Sequence, residues 1–213
     1  CYYQTQEIEK ASEIFKEVSK QNSPYQEDAQ YYYAHIQYTN GNKDESNEIF
    51  NKLKDSKKYK DISNLYLIQL NYDNGRYEDV IKSGDDALSQ ADKKRKPELA
   101  LMIAESWFQQ GDYNKSLEYY DIAKSNTRRN LPREVEFKIG FCKMKVNDFE
   151  GAITNFEEVT DNNDELSQYT SYYMAQCYSN TQQDKFARNT FLKAYKADFN
   201  DTISENALFN YAA

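Results

Sequence analysis

Glycine and proline are scarce in this chain of 213 residues, at 6 and 3. A strand-and-turn protein needs many such punctuators, so their shortage excludes most all-β designs and favours long helices with short connections. Three cysteines make an odd set and no C-x-x-C spacing occurs, which excludes a disulfide framework and a zinc ribbon. One histidine, His35, stands without a second histidine or a serine motif, so no metal set or nucleophile–base pair is in view. Six scattered glycines build no phosphate-cradling loop. No run reaches the ~18 apolar residues of a membrane span, and no charged-then-apolar leader opens the chain. An excess of positive charge is missing too: the net charge is −8 and the pI about 4.9, which repels nucleic acid. No catalytic residue, metal or cofactor is expected.

Aromatic residues are abundant. With 20 Tyr and 11 Phe, a core in a chain of this length must be largely aromatic. Acidic residues such as those of Asp161–Glu165 fall in turns and on helix faces, where solvation is their ordinary state.

An internal repeat organises these residues. "CYYQTQEIEKASEIFKEV" from Cys1 aligns with "CKMKVNDFEGAITNFEEV" from Cys142 and "CYSNTQQDKFARNTFLKA" from Cys177. The same template starts at Ile36, Leu70 and Ser106, so the anchors recur every 34 to 36 residues. Ten positions after each anchor stand Ala11, Ser46, Val80, Ser116, Ala152 and Ala187, all of them small or β-branched. Fourteen after stand Phe15, Phe50, Gly84, Tyr120, Phe156 and Phe191, and seventeen after Val18, Leu53, Ala87, Ala123, Val159 and Ala194. Short side chains permit close helix crossings. An aromatic four residues on, along the same face, fills the groove beside the crossing.

This template resembles the tetratricopeptide repeat. A small residue precedes the anchor by two in Ala34, Ala104, Gly140 and Ala175, with Ile68 the exception, and a turn residue follows it by five in Gly41, Gly75, Gly111, Asn147 and Gln182. The tryptophan position of that family, six before the anchor, holds Gln30, Asn64, Ala100, Glu136 and Ser171, none able to plug the slot as tryptophan does. Tyr32, Tyr66 and Tyr173, two positions later, are expected to fill the volume from another angle.

The resemblance implies an all-α, right-handed α-solenoid of antiparallel helix hairpins, about twelve helices in a single segment 1–213. Its expected divisions are a half-repeat 1–22, full repeats 23–56, 57–91, 92–127, 128–162 and 163–198, and a half-repeat 199–213. Each hairpin covers the apolar face of its neighbour. Cys1 then falls in the last turns of a first helix and is read as a packing position in a segment of a longer array, not as a lipid anchor. Cys142 and Cys177, one repeat apart, are expected ~10 Å from each other, beyond disulfide reach. Phrases such as "YYYAHIQY" and "ISENALFNYA" resemble the large multi-repeat proteins of Bacteroidetes-type bacteria, which implies an exported parent, periplasmic or outer-membrane associated.

In this repeat family the first helix of each hairpin lines an inner groove five before, one before and two after the anchor. The matching residues here are Tyr31, His35 and Tyr38; Leu65, Gln69 and Tyr72; Leu101, Glu105 and Phe108; Phe137, Phe141 and Met144; Tyr172, Gln176 and Ser179; Tyr3 continues the last column. Spacings of three and four place each set on one helix face. Such an aromatic ladder suits an extended peptide or an amphipathic helix. The expected function is a non-enzymatic protein-interaction scaffold with a protein or peptide partner. Two other readings stay open: a structural spacer whose surfaces contact neighbouring repeats of its own parent chain, and a glycan groove. The connections also carry basic runs, Lys52–Lys60, Lys93–Lys96 and Arg128–Arg129. They are read either as helix-end charges or as a dock for an acidic partner or anionic headgroups.

Overall fold

The computed structural model describes residues 7–127 and 129–212. The expectations for Cys1, Tyr3 and Arg128 lie outside the described residues. Among those described there are twelve helices and no strand: α1 (Ile8–Val18), α2 (Gln26–Thr39), α3 (Lys43–Leu53), α4 (Lys60–Asp73), α5 (Tyr77–Gln90), α6 (Lys96–Gln109), α7 (Tyr113–Asn126), α8 (Arg133–Lys145), α9 (Phe149–Glu157), α10 (Glu165–Asn180), α11 (Asp184–Ala197) and α12 (Asp201–Ala212). The chain forms two compact units, Cys1–Ser106 and Trp107–Ala213.

Each even-numbered helix up to α10 ends three residues past its anchor, and the next helix starts seven past it. One turn geometry joins them. The residue five past the anchor takes a left-handed conformation in every case: Gly41 at φ +82°, Gly75 at +69°, Gly111 at +77°, Asn147 at +66° and Gln182 at +59°. Its N–H donates to the carbonyl three back, and the following N–H to the carbonyl five back, as in Asn42 to Gln37 and Asp148 to Lys143, all at 2.8–3.1 Å. This is the Schellman arrangement, which satisfies carbonyls that a helix end leaves unpaired. Asp112 and Asp148 then cap the next helix by accepting from the N–H groups of Lys115 and Gly151 at 3.0 Å.

In the first unit α1 packs on α2, α2 on α3, α3 on α4 and α4 on α5; in the second, each helix from α7 to α12 packs on the next, and α10 also meets α8 and α12. The core lies where the repeat places it. Every residue ten past an anchor is buried, as are those fourteen and seventeen past it except Phe15 and Val18 of α1, which are half-buried. Phe50 and Phe156 are among the largest side chains with no exposure. Where the first unit has Gly84 in place of an aromatic, the Ile103 side chain fills the space, lying 2.9 Å from where a Cβ would stand.

The tyrosines four before the anchor pack against the aromatic of the preceding repeat. Tyr32 stacks on Phe15 with centroids 5.2 Å apart, and Tyr66 on Phe50 at 4.6 Å. Tyr173 packs against the cluster built on Phe156. The tryptophan-like slot is nonetheless buried at Ala100, Glu136 and Ser171. Glu136 corrects the expectation that acidic residues lie on solvated faces: its side chain is 6% exposed. Lys124 of α7 donates to one carboxylate oxygen at 3.1 Å and Asn155 of α9 to the other at 2.6 Å. Burying a carboxylate is costly unless both oxygens are met, so this acid ties three helices together and is committed to structure.

A second polar device went unread in the sequence. In three of the five repeats the residue nine before the anchor reaches forward to the loop that ends its own repeat. Glu27 accepts from the Ser56 hydroxyl at 2.7 Å. Arg133 donates to the Val159 carbonyl at 2.7 Å, to Asp164 at 2.8 Å and to Ser167 at 2.8 Å. The fully buried Gln168 donates to the Ala194 carbonyl at 3.1 Å and the Ser204 hydroxyl at 2.9 Å, and accepts from the Asn200 N–H at 2.7 Å.

Candidate functional site

All fourteen residues expected to line a groove from Tyr31 to Gln176 are half-buried, while Ser179 is exposed. A position at a helix–helix seam with one face toward solvent has this intermediate exposure. Their packing differs from one to the next, and each unit has its own cluster.

In the first unit Tyr31 is stacked on Tyr59 with centroids 4.7 Å apart. His35 sits between Tyr31 and Tyr66, its ring centroid 6.3 Å from the first and 5.8 Å from the second. Burial holds the imidazole below its usual titration range, so it is neutral near pH 7. Tyr38 meets Tyr66 edge to face at 5.1 Å. Tyr38, Leu65 and Gln69 line a depression of about 220 Å³, together with Ile62, Tyr66, Arg95, Glu98, Leu99 and Met102. Tyr31, His35, Tyr72, Leu101 and Glu105 are not part of that lining. Tyr72 instead donates its hydroxyl to Glu105 at 2.5 Å. Burial, then that carboxylate, pushes the phenol well above its usual range.

The depression is built entirely from α2, α4, α6 and the residue that leads into α6, with nothing from α3 or α5. Its floor is apolar, and Leu99 is 2% exposed. Its rim carries Gln69, Arg95 and Glu98. Burial raises the Tyr38 phenol, and the neighbouring carboxylates Asp73 and Glu98 raise it further. The volume is below the ~300–1,000 Å³ of small-molecule sites and suits one apolar side chain of an extended ligand.

In the second unit Phe108, Tyr113 and Phe141 form an aromatic trio with centroid separations of 5.8 to 6.0 Å. Phe141 also meets Tyr173 edge to face at 5.2 Å, and the Lys145 ammonium stands 5.0 Å above its ring. Phe137, Phe141 and Met144 lean on the buried cluster around Phe156, and Tyr172 meets Phe191 at 5.9 Å. These side chains therefore serve the core on one side and solvent on the other.

The sequence reading missed Ile62 and Glu98, eight before their anchors, and Tyr66 and Met102, four before, as lining residues. The signal was available for the first pair: eight before is three residues ahead of five before, one turn along the same face. Tyr77 and Tyr113, seven past the anchor, were also passed over. Each meets the aromatic two past its anchor edge to face, at 6.1 Å for Tyr72 and 5.8 Å for Phe108. Among the described residues no group of three or more His, Cys, Asp or Glu is placed to hold a metal ion, and no helix is long and apolar enough to cross a membrane.

Paired helices, a left-handed residue at every intra-hairpin turn and a half-buried face on the first helix of each pair define a helical-repeat protein. Solved structures agree. YrrB, a TPR protein with an unusual peptide-binding site, superposes with a TM-score of 0.75 at 15% identity, covering 93% of this chain and 99% of its own. MamA gives a TM-score of 0.62 at 15% identity over 78% of this chain and 94% of its own. Pseudomonas aeruginosa PilF gives 0.63 at 13% over 98% and 92%. The fold is thus the all-α solenoid of tetratricopeptide-repeat proteins. No family model matches the chain, and no curated protein matches it in sequence.

Proposed function

We propose that the protein is a non-enzymatic interaction scaffold, and that the even-helix face of its first unit receives a peptide. The observation that carries this reading is the depression at Tyr38, Leu65 and Leu99. It is open to solvent, apolar at its floor, and lined by even-numbered helices and Arg95, the residue that leads into α6. An extended segment there would seat one apolar side chain in the depression and pass its backbone along the half-buried aromatic edges. YrrB supports the reading as a protein of the same fold with a peptide-binding site.

Selection of random displayed dodecapeptides against the whole chain tests it. Winning peptides should lose at least about tenfold in affinity to Gln69→Trp, which fills the depression, and to Tyr38→Ala, with far-UV circular dichroism unchanged. Winners indifferent to both variants would place recognition elsewhere.

A further inference from the structure

The rim of this depression joins a concentration of positive charge on an otherwise acidic chain. Lys52–Asp61 and Asp92–Glu98 hold nine of the 27 Lys and Arg residues against four carboxylates, Asp55, Asp61, Asp92 and Glu98. Both stretches adjoin the depression: its residue Ile62 directly follows the first, and Arg95 and Glu98 belong to the second. The two basic runs therefore flank one end of the same site.

Helix electrostatics explains only part of this. Lys52 lies in the last turn of α3, where a cation favours the dipole. Lys93, Lys94 and Arg95 precede α6, and Lys96 opens it, where the dipole disfavours a cation. Internal pairing does not explain them either. Lys58 is bound to Asp28 at 2.7 Å, whereas Lys54, Lys57, Lys60, Lys93, Lys94 and Arg95 form no ion pair with any described carboxylate. Asp92, the acid nearest the second run, is occupied by the backbone N–H groups of Lys94 and Arg95, each at 2.9 Å. Toward the other end of the same face the carboxylates are Asp73, which closes α4 and is paired with Lys43 at 3.3 Å, and Glu105, four residues before the end of α6, which accepts from the Tyr72 hydroxyl.

Resting on the groove reading above, we infer that the partner is an acidic peptide segment, with an apolar side chain seated between Tyr38 and Leu99 and carboxylates beside it meeting Arg95, Lys93 and Lys94. The cations at one end of the face and the Glu105 carboxylate toward the other set its orientation, since an acidic flank is attracted to the first and not to the second. Arg95 itself lines the depression, and a guanidinium suits a planar carboxylate. The loop lysines add attraction that salt screens.

The test uses the same dodecapeptide selection on the full chain, followed by fluorescence anisotropy on synthetic winners. Winners should carry Asp or Glu to one side of an aliphatic or aromatic residue. Exchange of those acids for Asn and Gln should weaken binding about tenfold at about 50 mM salt. The gap should narrow at about 500 mM and vanish in the Lys93→Glu, Lys94→Glu, Arg95→Glu triple variant. Neutral isosteres that bind equally well, yet still lose to Gln69→Trp, would overturn the charge inference and leave the groove standing. Winners insensitive to Gln69→Trp would overturn the groove itself. Vesicles of phosphatidylserine and phosphatidylcholine are the counter-probe: retention abolished by the triple variant and not displaced by acidic peptide would assign the basic runs to a lipid surface instead.

Discussion

Replacing Gly140 with alanine sets two effects of opposite sign against each other, and the structure decides between them. Gly140 lies within α8, where alanine is intrinsically better than glycine by about 0.8–1.0 kcal/mol. A Cβ there would stand 2.6 and 2.7 Å from two atoms of the Phe156 ring, and ordinary contact begins at 3.4 Å. The ring has nowhere to go: Phe156 has no exposure and belongs to a cluster with Ala152, Met174 and Cys177, with Phe137 5.9 Å away. Nor is α8 free to retreat, because Glu136 one turn earlier is held by Lys124 and Asn155. Overpacking of this kind costs about 1–3 kcal/mol, so Gly140→Ala should be destabilising by up to about 2 kcal/mol net of the propensity gain. Urea unfolding followed by far-UV circular dichroism measures it. Amide exchange over α8 and α9 localises the loss, since a repeat array can open unit by unit. Adding Phe156→Leu should restore part of the stability by removing the ring edge that the new methyl meets. A midpoint that rises in Gly140→Ala, as propensity alone requires, would refute the close approach of α8 and α9.

The other predictions concern the turns and the thiols. Gln182 holds a left-handed conformation at φ +59°, which costs a residue with a Cβ about 1–2 kcal/mol. Gln182→Gly should therefore gain about 0.5 kcal/mol after the entropy of glycine is charged, read as a higher urea midpoint, while Asn147→Gly should change little. Cys142 and Cys177 are free and fully buried, and burial pushes their thiols up to about 11 and about 12. Because the thiolate is the reactive form, at pH 8 both should react with an aromatic disulfide reagent only after denaturant is added. Rapid reaction of both in the folded chain would contradict their placement.

Much of this was legible because a repeat states each structural requirement several times. Ser46, Ser116 and Ala152 are chemically different, yet their shared position identifies them as crossing points, and all three have no exposure. Asn147 and Gln182 were likewise recognisable as stand-ins for Gly41, because the turn conformation belongs to the position. What could not be read is what a single repeat does differently. Gly84 is an exception until Ile103 is seen to occupy its space. Glu136 reads as a surface acid until Asn155, nineteen residues on, is found 2.6 Å away. Arg95 stands just before α6, outside every spacing that marks a groove, and only the fold brings it to the rim of the depression.

The residue nine before each anchor shows how such local differences reach function. Glu27, Arg133 and Gln168 differ in charge and shape, but each fastens the loop that follows its hairpin. On α6 the corresponding residue is Pro97, which has no polar side chain, and on α4 it is Asp61, which no described hydrogen bond joins to the loop between α5 and α6. That loop carries Lys93, Lys94 and Arg95. Its order comes from Asp92, which holds the N–H groups of Lys94 and Arg95 and leaves the three cationic side chains unfastened. A loop tied like its counterparts would hold its polar atoms in internal bonds. Here the cations keep their charge available at the mouth of the depression, so the first unit has given up one fastening between repeats where, on the present proposal, a partner supplies it.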